Sequence, residues 1–203
     1  MYNFVMKHTE RILSLLQTQE IIRLQELRPL GISPASLYWL YQQGKVVRSG
    51  RGTYRLPERD VSEYHSLALA CKRTPHGIIC LLSALSFHEI GTQLPFEVWM
   101  AIDRKARLPV VDYPSMRFVY FSGDALTAGV ESYQIEGVTV SVYTPAKTVA
   151  DCFKYRNKVG LDVAIEALRE GRRLGKCTDR DLWHFARICR VANVMKPYLE
   201  ATA

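Results

Sequence analysis

Apolar and polar positions alternate along this chain with two distinct periods, and the change between them marks its organisation. Near the start, Ile12, Leu13, Leu15 and Leu16 cluster toward one side of His8–Gln17, which predicts a first helix. Ile21-Ile22 suits a short strand, and Leu24–Arg28 suits one or two helical turns ended near Pro29, with Leu30 and Ile32 anchoring the next turn in a small core. A third helix follows in Ser33–Gly44. Ser33 is placed to cap its free amides, Pro34 fits the first helical position, and Gly44 is available as a left-handed stop. Leu37, Leu40 and Tyr41 share its inner face at i, i+3, i+4 spacing. Val46–Arg48 and Thr53–Arg55 are extended in character around the turn Ser49-Gly-Arg-Gly52.

Beyond residue 57 the pattern is less regular. Pro57–Ser62 is a polar break, followed by a helix over Glu63–Lys72, the apolar run Ile78–Leu82 and a short helix Ser83–Ile90 closed by Gly91. Val98–Ile102 and Arg117–Phe121 read as strands, and Tyr133–Tyr143 reads as a hairpin around Glu136-Gly137, with Val138, Val140 and Val142 in period two. Helical periodicity then predicts elements near 145–156, 161–173, 178–190 and 191–200. Strands followed by helices without regular alternation argue for an α+β fold with a mainly antiparallel sheet. The expected organisation is a winged helix-turn-helix over 1–57, a linker at 58–65, and an α+β unit over 66–203.

A capped helix running into a basic two-stranded ribbon is the order in which a winged helix presents one element to the major groove and another to the flanking backbone. The outward face of that helix carries Ala35, Tyr38, Trp39, Gln42 and Gln43, with Ser33 and Ser36 also candidates. Glutamine reads adenine edges, serine meets bases or phosphates, and small residues permit close approach. Trp39 would stack over sugar or touch a thymine methyl; the alternative packs Tyr38 and Trp39 against the second unit. Lys45, Arg48, Arg51 and Arg55 would face phosphates or a minor groove.

Charge sharpens this picture. The formal net charge of +7 is divided unevenly, with +5 in residues 1–57 and +2 in residues 58–203. An excess concentrated on the motif is the footprint of a surface that binds double-stranded DNA with salt-sensitive affinity. The 203 residues, 48% hydrophobic and 23% charged, accommodate two small domains. No apolar run reaches the roughly 20 residues needed to cross a bilayer, and Met1–His8 lacks a basic-then-apolar leader, so a cytoplasmic location is expected. The five cysteines are widely spaced without a C-x-x-C pair, which favours reduced buried thiols over a disulfide framework or a zinc site.

Three blocks, "GIS…LYWLYQQGKVVRSGRGTYRLP", "HGIICLLSALSFHEIGTQLPFEVWMAI" and "VYTPAKTVADCF", together resemble the AbiE-type antitoxins, transcriptional regulators of bacterial type IV toxin–antitoxin operons linked to phage defence. The resemblance spans roughly residues 8–200. It implies that the N-terminal module represses its own promoter, with repeated operator sites, and that the second unit counteracts a nucleotidyltransferase-like toxin. It departs from the pattern at Lys147, where Arg is expected; the charge is kept but the bidentate fork is lost. The candidates for antitoxicity are Ser83, His88, Arg104, Lys105, Lys147, Thr148 and Asp151. Their structural alternative is internal packing. Ser83 and His88, five apart, point to different faces of one helix, whereas Lys147 and Asp151 at i, i+4 suit a modest helix-surface pair of ~0.2–0.5 kcal/mol. Thr144 is placed to cap that helix, with Pro145 in its first turn.

Enzyme signatures are sparse. There is no G-x-x-x-x-G-K-[ST], H-E-x-x-H or G-x-S-x-G motif; His88-Glu89 has Thr at position 92 where a second histidine would stand. Asp103-Arg-Lys105 at a strand end has the flavour of a metal-dependent nuclease, but its second acid would have to be Glu89 or Glu97, and Arg104 and Arg107 crowd the locality with positive charge. No cofactor or metal site is expected. The second functional class left open is a winged-helix transcription factor whose second domain senses a ligand or dimerises.

Overall fold

The computed structural model describes residues 2–57, 62–109 and 113–201, with side chains from residue 8 onward. Part of the expected linker, residues 58–61, lies outside that range. The chain runs α1 (Tyr2–Gln19), β1 (Ile21–Arg23), α2 (Leu24–Leu27), α3 (Pro34–Gln42), β2 (Val47–Gly50), β3 (Thr53–Arg55), α4 (His65–Arg73), β4 (Ile78–Ile79) and α5 (Leu81–Phe87). It continues through β5 (Val98–Asp103), β6 (Met116–Phe121), α6 (Asp124–Thr127), β7 (Val130–Ile135) and β8 (Val138–Tyr143). The chain closes on α7 (Pro145–Lys154), α8 (Arg156–Val159), α9 (Leu161–Arg173), α10 (Asp179–Ile188) and α11 (Ala192–Ala201).

Helix and sheet are thus mixed, as the periodicities predict. The three N-terminal strands form an antiparallel sheet in the order β1-β3-β2, with a register slip between Arg48 and Gly50. The apolar faces of α1, α2 and α3 close over it: Ile12, Leu16, Ile22, Leu27, Ile32, Leu37, Leu40 and Val46 make one buried cluster. Leu30 is not part of it. It is exposed in the turn after Pro29, where Arg11 Nη1 donates to its carbonyl at 3.3 Å.

The larger sheet has the order β6-β5-β4-β8-β7. Among the described residues, four of the six strand pairings are antiparallel; the two parallel ones, β5 with β6 and β4 with β8, both lie in this sheet. Period two explains how its two faces are covered. Trp99 and Ala101 of β5, with Val119 and Phe121 of β6, join the core built with α5, α7, α9, α10 and α11. Val98, Met100 and Ile102, with Val138, Val140 and Val142, face the side carrying α4.

The module is seated on the second unit. Ile21 of β1 is fully buried within the cluster that carries α4, not in the module's own core. Arg23 Nη1 donates to the Lys72 carbonyl, and Lys72 Nζ lies 3.0 Å from Glu26. Arg73 donates to the Arg51 carbonyl from below the wing turn. At the β7–β8 turn, Glu136 and Gly137 both have positive φ, 50° and 68°, as a two-residue turn of this kind requires. A Cβ on Gly137 would stand 2.5 Å from the Gln19 carbonyl oxygen, so the turn tip is pressed against the end of α1.

All five cysteines are free and buried. Burial pushes the Cys71, Cys177 and Cys189 thiols up to about 12, which suppresses the reactive thiolate. A chromogenic disulfide reagent at pH 8 should therefore titrate no thiol of the native chain and all five in guanidinium; fast labelling of the native state would contradict this packing.

Candidate nucleic-acid interface

Helix α3 begins and ends by the predicted devices. The Ser33 side chain accepts from the Ala35 amide at 3.3 Å, with Pro34 at the first helical position. At the other end Gly44, at φ 67°, donates to the Tyr41 carbonyl at 3.0 Å, and Lys45 N–H reaches the Leu40 carbonyl at 3.0 Å. This paired closure satisfies the last carbonyls and turns the chain at once into the wing.

The facing of α3 differs by one residue from the sequence reading. Ser36, Leu37 and Leu40 are buried, whereas Tyr41 is 42% exposed. Ser36 is therefore withdrawn as a DNA contact: its small side chain fits under the helix where the larger Tyr41 ring does not. Tyr41 sits at the module's edge against Tyr54, with ring centroids 6.1 Å apart. Ala35, Tyr38, Trp39, Gln42, Gln43 and Lys45 are exposed, and Ser33 is half-buried. Tyr38 and Trp39, at 60% and 44% exposure, are not enclosed against the second unit.

Polar groups on this face are already ordered. Gln42 Nε2 donates to Tyr38 Oη at 2.8 Å, which holds the amide across one helical turn. Lys45 Nζ lies 5.8 Å from the Trp39 ring centroid, a cation–π contact that carries positive charge to the edge of the aromatic row. Arg48 is exposed on β2, and its Nε donates to the Gly50 carbonyl at 3.1 Å. Arg51 is exposed at the wing turn; Arg55 is half-buried, with Nη1 donating to the Leu56 carbonyl at 3.1 Å. The wing turn rests on Arg73 instead of standing clear, so Arg48 and Lys45, together with α3, form the most open part of the surface. Tyr41, which the periodicity placed inside, joins the exposed side of α3.

The second set of candidates divides into two. Ser83, Lys147, Thr148 and Asp151 are buried, the last three completely. Ser83 Oγ accepts from the Trp99 amide at 2.9 Å and donates to the Glu97 carbonyl at 3.3 Å, tying α5 to β5. His88 Nε2 and Thr148 Oγ1 both donate to the Tyr143 carbonyl, at 2.7 and 3.2 Å. Burial lowers the His88 pKa, opposed by that same carbonyl. Lys147 Nζ lies 2.5 Å from Asp151 Oδ2 and 3.9 Å from the centre of the Tyr143 ring, while Cys189 Sγ reaches Asp151 Oδ1 at 3.1 Å. The expected helix-surface pair is thus a core ion pair, because α7 is enclosed by α5, α9 and α10. Ser83, Lys147, Thr148 and Asp151 are enclosed in the fold, whereas His88 is half-buried. Thr144 does not cap α7 with its hydroxyl, although Pro145 takes the first helical position.

Arg104 and Lys105 are exposed in the turn after β5. There Asp103 Oδ1 accepts from the Lys105 amide at 2.6 Å, so the acid of the nuclease-like pattern shapes a turn. Among the described residues, no group of three or more His, Cys, Asp or Glu is placed to hold a metal ion.

An exposed, capped helix continuous with a basic ribbon, on three helices and a three-stranded sheet, defines a winged helix-turn-helix module joined to an α+β unit. Residues 10–57 match the family model described as "Transcriptional regulator, AbiEi antitoxin". That match covers the module; the second and third sequence blocks lie beyond it. In fold, the chain is similar to the crystal structure of the RV2827C protein from Mycobacterium tuberculosis, at 15% identity and a TM-score of 0.58. The alignment covers 88% of this chain and 71% of that one. No curated protein matches the chain. No described helix is long and apolar enough to cross a membrane.

Proposed function

We propose that this chain is a cytoplasmic DNA-binding autorepressor and the antitoxin of a bacterial type IV toxin–antitoxin system. In this reading the winged helix binds repeated operator sites in its own promoter, and the second unit counteracts a nucleotidyltransferase-like toxin. The observation that carries the DNA half is the open face of α3: Tyr38, Trp39, Gln42 and Lys45 are solvent-exposed on a helix whose opposite side is fixed in the core. Its location inside the segment that matches a transcriptional-regulator family adds support. With Lys147, Thr148 and Asp151 enclosed, any direct antitoxic contact falls to exposed groups such as Arg104 and Lys105.

The test is a gel shift of the full chain on its upstream promoter against a random duplex, repeated across salt concentrations. Gln42→Ala should lose roughly 1–3 kcal/mol on the operator and much less on random DNA. Arg48→Ala should weaken both duplexes alike and flatten the log–log salt dependence by about one unit. Equal affinity of the unaltered chain for promoter and random DNA would remove the repressor reading. Co-expression with a nucleotidyltransferase-like product encoded beside it tests the antitoxin half, with growth rescue as the expected result.

A further inference from the structure

A groove of about 620 Å³ runs between α4, α5 and the loop 91–97, with no residue of α3 in its lining. Leu67, Phe87 and Val98 contribute apolar lining, and Leu94 and Pro95 line it from the loop. Glu63, Glu89 and Glu97 also line it, with no Lys, Arg or His among the described residues of the lining. On a chain of net charge +7 this is a local reversal of sign. Lys176 and Arg117 approach Glu89 and Glu97 at 3.6 and 3.8 Å from outside the lining; the Glu89 pair is exposed and exchanges partners at little cost, whereas Glu97 is half-buried. The Tyr64 phenol is raised in pKa by partial burial and then by Glu63 and Glu89, which places both carboxylates near one wall.

The loop beside the groove is apolar and yet held open. Leu94 and Phe96 are each 90% exposed. Its base is pinned to α9: Gly91 N–H donates to Glu170 at 2.8 Å, and Thr92 gives its N–H and hydroxyl to Glu166 at 3.1 and 3.0 Å. Single exposed apolar residues are ordinary. Leu94, on an anchored loop beside an acidic groove with an apolar floor, is held in place and so spends little entropy on binding, while Phe96 lines a neighbouring cleft with Arg117 and Lys158.

We propose that this groove docks a basic segment of a protein partner whose apolar side chains meet Leu94 and the groove floor while its Lys or Arg residues pair with Glu63, Glu89 and Glu97. The site is independent of what α3 binds and goes beyond the functional reading above. The full chain is titrated, by fluorescence anisotropy, into a labelled twelve-residue peptide of alternating Leu and Lys, and into its Leu/Glu counterpart. The Lys peptide should bind at least tenfold more tightly despite the chain's overall positive charge. That advantage should fall at least tenfold in Glu63→Gln/Glu89→Gln/Glu97→Gln and in Leu94→Ser, with DNA affinity unchanged. Equal affinity for the two peptides, or a Lys-peptide affinity indifferent to both variants, overturns the proposal. So does sedimentation showing that Leu94→Ser converts a self-associated chain into monomers, since the occupant is then a second copy.

Discussion

Asp151→Ala should lower the unfolding free energy by about 3–5 kcal/mol, the cost of leaving one buried charge without its partner. Lys147 and Asp151 are both 0% exposed, and removing the carboxylate strands an ammonium between the Tyr143 and Phe121 rings. The paired change Lys147→Met/Asp151→Leu should recover most of the loss, because desolvating two charges consumes most of what their attraction returns. Urea unfolding of the three proteins measures both effects; a single-variant loss under about 1 kcal/mol would show that the pair does not stand in the core. The pH dependence has a definite sign. Burial raises the Asp151 pKa above its ordinary 3.8, with Lys147 opposing. The neutral acid can still accept from Lys147, as alanine cannot; the folded chain therefore holds this proton more tightly than the unfolded one, and the contribution is full below pH 3.8 and lost as pH rises through the elevated value. Asp151→Asn should remove that falling limb from the stability profile.

Leu40→Ala should cost about 2–5 kcal/mol, the range for a buried leucine whose cavity does not collapse. Leu40 is 0% exposed and packs with Leu16, Leu37 and Val46, and its carbonyl accepts the Lys45 amide that closes α3. Loss of its side chain loosens the seat of the helix that carries Tyr38, Trp39 and Gln42. DNA affinity should therefore fall on operator and random duplex together, unlike Gln42→Ala. Calorimetry paired with gel shifts at a temperature where the variant stays folded separates the two causes. A variant that keeps the original Tm would mean the helix is not seated as described.

The parts legible in the sequence are those governed by short-range chemistry. Ser33, Pro34 and Gly44 set the ends of α3 through their own hydrogen-bonding and φ preferences, and Glu136-Gly137 set the β7–β8 turn in the same way. The Val138, Val140, Val142 alternation survives because β8 presents one face to α4. What stayed hidden depends on neighbours distant in sequence. The run Ile78–Leu82 passes from strand to helix at Cys80 and Leu81, with Leu81 at φ 46° and no glycine or proline to mark the change. Closure of α5 falls on Glu89, at φ 51°, ahead of the expected Gly91; Ile90 N–H then reaches the Leu85 carbonyl at 2.9 Å. A Lys and an Asp at i, i+4 have the signature of a wet helix face, and only the unbroken burial from Ala146 to Phe153 shows otherwise. A helix enclosed all round takes its polar pair with it. In α3 the rotation by one position, Ser36 in and Tyr41 out, reflects residue size against the rest of the module, which periodicity does not encode.

The burial of Ile21 outside its own module bears on how the two halves are taken apart. Severing the chain after Pro57 would bare that isoleucine to water and strip the Gln19 carbonyl of its Gly137 neighbour. Either fragment then begins with a wound that intact protein never shows, and a fragment's inactivity says nothing of what the missing half does. Division of labour is better mapped by exchanging surface side chains in the undivided molecule.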